Sequence, residues 1–184
     1  MLQVDCPGGL LFSFLSPGES HNKLHMVYID LEKEHTLIQE LFSKIPKVDS
    51  IRTVVLNVSP DYSSIVAMQL AHHLSVEGRM LDLIPVDVPY PKENRSVYKE
   101  RFEQINKDFK SKYDKIILVE AAVLSGNNYT WLTQCLRDIG YGDENIVTVS
   151  LLEMNTSIFK CDYVGDYVDS MPEFYWERYN IHWD

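Results

Sequence analysis

"KIILVEAAVLSGNNYTWL" (residues 115–132) opens with the apolar run Ile116 to Val119, meets an acid at Glu120, and crosses a small polar run before a helical pattern begins. A short apolar run bounded by turn residues reads as a buried strand. Ser125, Gly126, Asn127 and Asn128 are small or turn-forming, so the chain is expected to turn there from strand to helix. Gly126 can adopt positive φ, which lets successive backbone N–H groups face a common hollow. The following helix N-terminus adds partial positive charge, so a phosphate monoester can be held there without a lysine. The Ser125 hydroxyl and the Asn128 side-chain amide supply further donors. On this reading a valine at Gly126 removes ligand binding with modest loss of fold. The same residues also describe a plain strand-to-helix turn capped by Ser or Asn, and S-G-N-N alone does not separate the two.

Outward from this stretch, strand and helix periods alternate. "IRTVVLNV" (51–58) and "NIVTVSLL" (145–152) are apolar strands, "KLHMVYID" (23–30) and "MLDLIPV" (80–86) are strands, and "SSIVAMQLAHHL" (63–74) is a buried helix. Leu37, Ile38, Leu41, Phe42 and Ile45 form one face of a helix over 32–45, and a further helix is expected over 129–139. Tyr98, Phe102, Ile105 and Phe109 mark another helical stripe, after a loop at 87–95 that Pro89 and Pro91 interrupt. Such alternation predicts an α/β fold, a mainly parallel sheet with helices on both faces. The segments 1–22 and 153–184 break the pattern and are expected to form a small aromatic-rich hood over a core of about 23–152, within one domain spanning 1–184. Ligands of open parallel sheets sit beyond the carboxyl ends of the strands. A second loop leaving such an end is "NVSPDYSSI" (57–65), where Ser59 and Asp61 are candidate ligand contacts.

A formal charge of −10 argues against binding duplex nucleic acid, which requires a basic face. Three scattered cysteines, Cys6, Cys135 and Cys161, with no C-x-x-C pair, fit reduced thiols in a cytoplasmic protein. The six histidines show no metal-ligand spacing, and His72 and His73 are neighbours that point apart on a helix. No apolar run approaches the roughly 18 residues that span a bilayer, and "LLFSFL" near the start is short and preceded by acidic Asp5, unlike a signal peptide.

"IILVEAAVLSGNNYTWLTQCL" resembles the signature of the type I phosphoribosyltransferases, a hydrophobic strand, two acids, a Thr/Ser-Gly loop and a helix. "IVTVSLL" and "KCDYVGDYV" (160–168) resemble the next strand and the Lys-Pro-Asp-Phe-Val-Gly segment of the hypoxanthine-guanine branch, and "VVLNVSPDYSSIVAMQLAHHL" has the place of the family's pyrophosphate loop and helix. The resemblance covers about residues 50–184. It implies that Glu120 accepts from the ribose hydroxyls, that Ser125, Gly126 and Asn128 cradle a 5-phosphate, and that Tyr163 stacks on a base. Ala121 stands where the second ribose-binding acid belongs, Leu124 where an acid exchanges a proton with the purine, and Met154 where a lysine bonds the purine's exocyclic oxygen. Asp61 would repel pyrophosphate unless a metal lay between them. Magnesium would accompany a phosphoribosyl pyrophosphate-type ligand; no other cofactor is implied.

These substitutions lead to the expectation of a phosphoribosyltransferase-like protein that binds a nucleotide or sugar phosphate, with standard transferase activity weak or lost. One alternative is an inactive scaffold whose aromatic tail, Tyr163, Tyr167, Phe174, Tyr175, Trp176, Tyr179 and Trp183, meets a protein partner. Another is a working transferase in which Asp162, Asp166, Asp169 or Asp184 supplies the missing carboxylate. A homodimer is expected from the family.

Overall fold

A strand whose residues are apolar on both faces must be covered on both, and Thr53–Val58 has all six residues buried. The computed structural model describes residues 26–48, 52–58, 60–86, 88, 99–100 and 108–175. Its elements run β1 (Val27–Ile29), α1 (Leu31–Lys44), β2 (Thr53–Val58), α2 (Pro60–His73), β3 (Asp82–Val86), α3 (Phe109–Lys112), β4 (Lys115–Val123), α4 (Asn127–Asp138), β5 (Ile146–Met154), β6 (Tyr163–Val168) and β7 (Pro172–Phe174).

Five strands form one parallel sheet in the order β3-β2-β4-β5-β6, and β1 pairs with β7 in a separate parallel ribbon. Alternate residues of the central strands feed two cores. Val55, Ile117, Val119, Ala121 and Val149 pack with α1 and α2 on one side. Val54, Leu56, Ile116 and Leu118 pack with α4 and Phe109 on the other. Helix α1 follows from its apolar stripe and from Asp30, whose carboxylate caps it by accepting from Lys33 N at 2.8 Å. It stops at Ile45, which precedes Pro46 and takes the extended backbone that a proline imposes on its predecessor.

The strand of the opening stretch is longer than its apolar run suggests. β4 continues through Ala121–Val123, because Ala122 and Val123 still pair with Leu152 and Glu153 of β5. On the side where β2 has ended, the Ala121 N–H donates to the Ser63 hydroxyl of α2 at 2.9 Å. Helix α4 in turn starts at Asn127, so only Leu124, Ser125 and Gly126 connect the two. Of the segments assigned to the hood, β6 is the edge strand of the main sheet and β7 belongs to the ribbon. Residues 1–22 and 176–184 lie outside the described residues, as do the loop at 89–95 and most of the stripe that begins at Tyr98.

Candidate functional site

The chain passes from β2 through α2 to β3 on one flank, then returns to lay β4 on the other flank of β2. Strand order therefore reverses between β2 and β4, the switch point at whose carboxyl end ligands of such sheets lodge. There β4 gives way to Leu124 and Ser125, and Gly126 caps α4 with φ 79° and ψ 1°, a left-handed backbone that suits glycine. The Gly126 carbonyl accepts from Thr130 N at 3.0 Å and from its hydroxyl at 2.9 Å, which anchors the first turn. The amide N–H groups of Ser125, Gly126 and Asn128 meet no acceptor among the described residues. That is the usual state of helix-start amides until a cap, water or ligand accepts from them.

Those residues, with Glu120, Ala122, Leu124 and Asn127, line a hollow of about 140 Å³. One water needs only about 10–15 Å³ by this kind of measure, so a group of several heavy atoms fits. Glu120 lies on the α4 side of β4, is 8% exposed, and accepts from Asn128 Nδ2 at 3.0 Å. The Asn128 side chain is thus directed at Glu120. The Ser125 hydroxyl oxygen accepts from Asn127 Nδ2 at 2.8 Å and Asn127 N at 3.4 Å, leaving its own proton available to a ligand. A second, open groove of about 460 Å³ shares Leu124, Ser125 and Asn127 and adds Met154, Thr156 and Ile158.

Residues 155–162 carry the chain back from the end of β5 to the start of β6 and form one wall beside this turn. Ile158 N donates to the Ser125 carbonyl at 3.2 Å, and the Phe159 ring lies 5.3 Å from that of buried Tyr129. A Cβ built on Gly126 would stand 2.5 Å from Phe159 Cβ and 2.7 Å from its backbone nitrogen. This overturns the expectation that valine at Gly126 costs the fold little. The close approach of the crossover, a contact between segments distant in sequence, is the reason.

Other expected site residues are dispersed. Ala121 is sealed into the α1–α2 core, whereas Met154 and Leu124 line the grooves. Tyr163 opens β6 opposite Val149 and packs against the α1–α2 core; it lines neither the hollow nor the groove. Ser59, the side chain of Asp61, and Asp184 lie outside the described residues. Asp162 accepts from Thr148 N and its hydroxyl at 2.8 Å, Asp166 from Tyr167 N at 2.8 Å, and Asp169 from Asn155 Nδ2 at 2.7 Å. None of the three lines the hollow. Burial raises the Cys161 thiol's pKa well above its usual value, with nearby Glu153 adding to the shift, which disfavours the thiolate. Burial likewise keeps the Tyr129 phenol protonated, and it donates to the Val149 carbonyl at 2.6 Å. Among the described residues no group of three His, Cys, Asp or Glu side chains suits a metal ion, and no helix is long and apolar enough to cross a membrane.

No family model and no curated protein matches the sequence. Solved structures do match the arrangement of the chain. A purine phosphoribosyltransferase from Pyrococcus horikoshii Ot3 superposes with TM-score 0.58 at 16% identity, over 83% of this chain and 93% of that one. The fold is that of the purine phosphoribosyltransferases. A xanthine-guanine-hypoxanthine phosphoribosyltransferase from Helicobacter pylori shares this fold with TM-score 0.59 at 16% identity, over 83% and 93% of the two chains. A hypothetical protein from Neisseria gonorrhoeae with bound ppGpp shares it with TM-score 0.61 at 14% identity, over 85% and 92%. The mainly parallel sheet with its helices is thus a phosphoribosyltransferase-like α/β fold.

The sequence reading missed Ala122, Thr156 and Ile158 as lining residues. Only Ile158 carried a signal, an apolar residue amid polar ones in a predicted surface stretch, and that is too common to single out a groove.

Proposed function

We propose that the hollow at residues 120–128 binds the phosphate of a nucleotide or sugar phosphate. The observation that carries this reading is the set of Ser125, Gly126 and Asn128 amides that meet no acceptor among the described residues while lining a phosphate-sized opening. Helix α4 adds its positive end, and the Ser125 hydroxyl adds a donor. With a phosphate on the amides, Glu120 is left to accept a hydroxyl of the attached sugar. That the Neisseria gonorrhoeae protein holds ppGpp supports a phosphorylated nucleoside as the ligand class.

Phosphoryl binding survives here better than transfer. Leu124 and Ala121 bring no ionisable group to the opening, and among the described residues Glu120 is the one carboxylate in its lining. A missing general acid or base typically removes about 10²–10⁴ in rate. A lone carboxylate already engaged by Asn128 is a poor magnesium cage, so the metal would ride on a pyrophosphate ligand's own oxygens. We derive no catalytic step through it. Homodimerisation and a cytoplasmic setting belong to the same reading.

The tight packing of Gly126 on residues 157–159 favours a second reading, in which the turn is architecture and the protein serves as a scaffold for a partner. Thermal unfolding separates the two. A ligand at 100 times its Kd adds about 2.7 kcal/mol, and each kcal/mol moves a chain of this size by roughly 2–4 °C. Nucleoside monophosphates, and phosphoribosyl pyrophosphate with magnesium, are expected to raise the midpoint. Release of pyrophosphate would identify a working transferase instead, and no shift with any phosphate compound would leave the scaffold.

A further inference from the structure

Resting on the phosphate reading above, we infer that Glu120 makes the hollow read a proton on its anion, so that inorganic phosphate enters as hydrogen phosphate and sulfate is turned away. Amides at a helix N-terminus do not separate the two, since both are tetrahedral oxyanions that the same donors and dipole attract. Any discrimination has to come from another group in the lining. Among the described residues that line the hollow, Glu120 is the one with a charge, and none is lysine or arginine. It is 8% exposed, so little water screens it from an occupant. The hollow holds only about 140 Å³, which brings an anion seated on the amides close to every wall. Asn128 ties the two sides together: its backbone amide belongs to the set without acceptors among the described residues, and its Nδ2 donates to Glu120 Oε1 at 3.0 Å.

An ionised carboxylate accepts hydrogen bonds and donates none. Facing sulfate it meets oxygens that also only accept, and two like charges repel across a gap with little water. Such a repulsive element is an ordinary route to specificity. Hydrogen phosphate carries the same two charges, yet it can turn its P–OH to Glu120 and replace the repulsion by a charge-assisted hydrogen bond. Its other three oxygens then stay on the amides and the Ser125 hydroxyl. The dianion of methyl phosphate has no proton to offer and stands with sulfate. A nucleotide or sugar phosphate meets the same demand through a sugar hydroxyl. The ligand class is therefore the oxyanions that present a hydroxyl to Glu120, on the phosphorus or on the sugar next to it.

Calorimetric titration of the full chain tests this at constant ionic strength and slightly alkaline pH, where inorganic phosphate, methyl phosphate and sulfate are all mainly doubly charged. Inorganic phosphate is expected to bind about tenfold or more tightly than either of the others, the worth of one hydrogen bond to a charged group. Glu120→Gln keeps an oxygen to accept from Asn128 and adds an amide donor toward the anion. Sulfate and methyl phosphate should then gain until the three anions agree within about threefold, and their binding also reports that the variant is folded. Sulfate binding within about threefold of phosphate in the unaltered protein would overturn the inference and leave the anion site standing. So would methyl phosphate matching inorganic phosphate, since the hollow would then be reading phosphorus and not the proton. A phosphate preference undiminished in Glu120→Gln would likewise overturn it. Failure of all three anions to bind the unaltered protein would remove both this selectivity and the phosphate site on which it rests.

Discussion

Two connections leave the same carboxyl edge of the sheet and treat their polar groups in opposite ways. In the crossover from β5 to β6, nearly every polar side chain is engaged. Glu153, fully buried, accepts from Lys160 Nζ and from Cys161 N at 2.9 Å each. Asp162 ties down Thr148, and the Ser157 hydroxyl donates to the Phe159 carbonyl at 2.9 Å. In the turn from β4 to α4, by contrast, Ser125, Gly126 and Asn128 hold amides without acceptors among the described residues, beside an opening. The polar crossover is a brace, and the short turn of small residues is the candidate site. What separates the two is not composition but the donors left over beside an opening after the fold has used its share.

The largest effect is expected where brace and turn touch. Gly126→Val must place a β-branched residue at positive φ and push Phe159 aside, together about 3–5 kcal/mol. A circular-dichroism melt should show a midpoint lower by about 10 °C or more. A variant as stable as the parent would mean that the crossover does not constrain the turn, and the contrast would lose its structural basis.

Next in size is Glu153→Ala, which strands Cys161 N and releases Lys160. Lys160 is 56% exposed and can rehydrate, so the cost should be about 2–3 kcal/mol, below that of breaking a fully buried pair. Urea unfolding measures it. Phosphate affinity should fall with it, since a loosened crossover no longer fixes the Ser125 carbonyl.

The apolar runs of β2, β4 and β5 and the stripe of α1 made the sheet and its helices legible, because their burial is written in local period. Two features were not. Ala121–Val123 continue the strand through the Ser63 hydroxyl and β5, partners that alanine's weak strand preference does not announce. The sequence Tyr163–Val168 looked like hood because it mixes aromatics and acids, yet an edge strand has one paired side only and tolerates such residues. The turn at Gly126 and its neighbours was legible from turn chemistry. The restraint by Phe159 and the packing of Tyr163 on the α1–α2 core were not, since both depend on where distant segments meet.

The smallest effect sharpens the contrast with a carboxylate that belongs to neither connection. Glu34 on α1 is buried, its Oε2 meets no partner among the described residues, and burial raises its pKa to about 7. Its native form therefore holds a proton that the unfolded chain, with a carboxyl near 4.3, has already released. Stability should fall as pH rises from about 4 to 7 and then level off. Glu34→Gln should abolish that slope in urea unfolding and be more stable at pH 8 by about 1–2 kcal/mol, allowing for solvent screening. An unchanged slope in the variant would show that Glu34 titrates alike in the folded and unfolded chains, and that its burial carries no cost. An unengaged group with no ligand to meet is a loss; the amides at residues 125–128 differ because they border an opening.

Amide resonances of the labelled protein, followed during titration with inorganic phosphate, test that difference most directly. Gly126 and Asn128 should move downfield and saturate together, while those of 155–162 that are bonded within the brace change little. Motionless Gly126 and Asn128 resonances at saturating phosphate would contradict the account, leaving the turn as architecture alone.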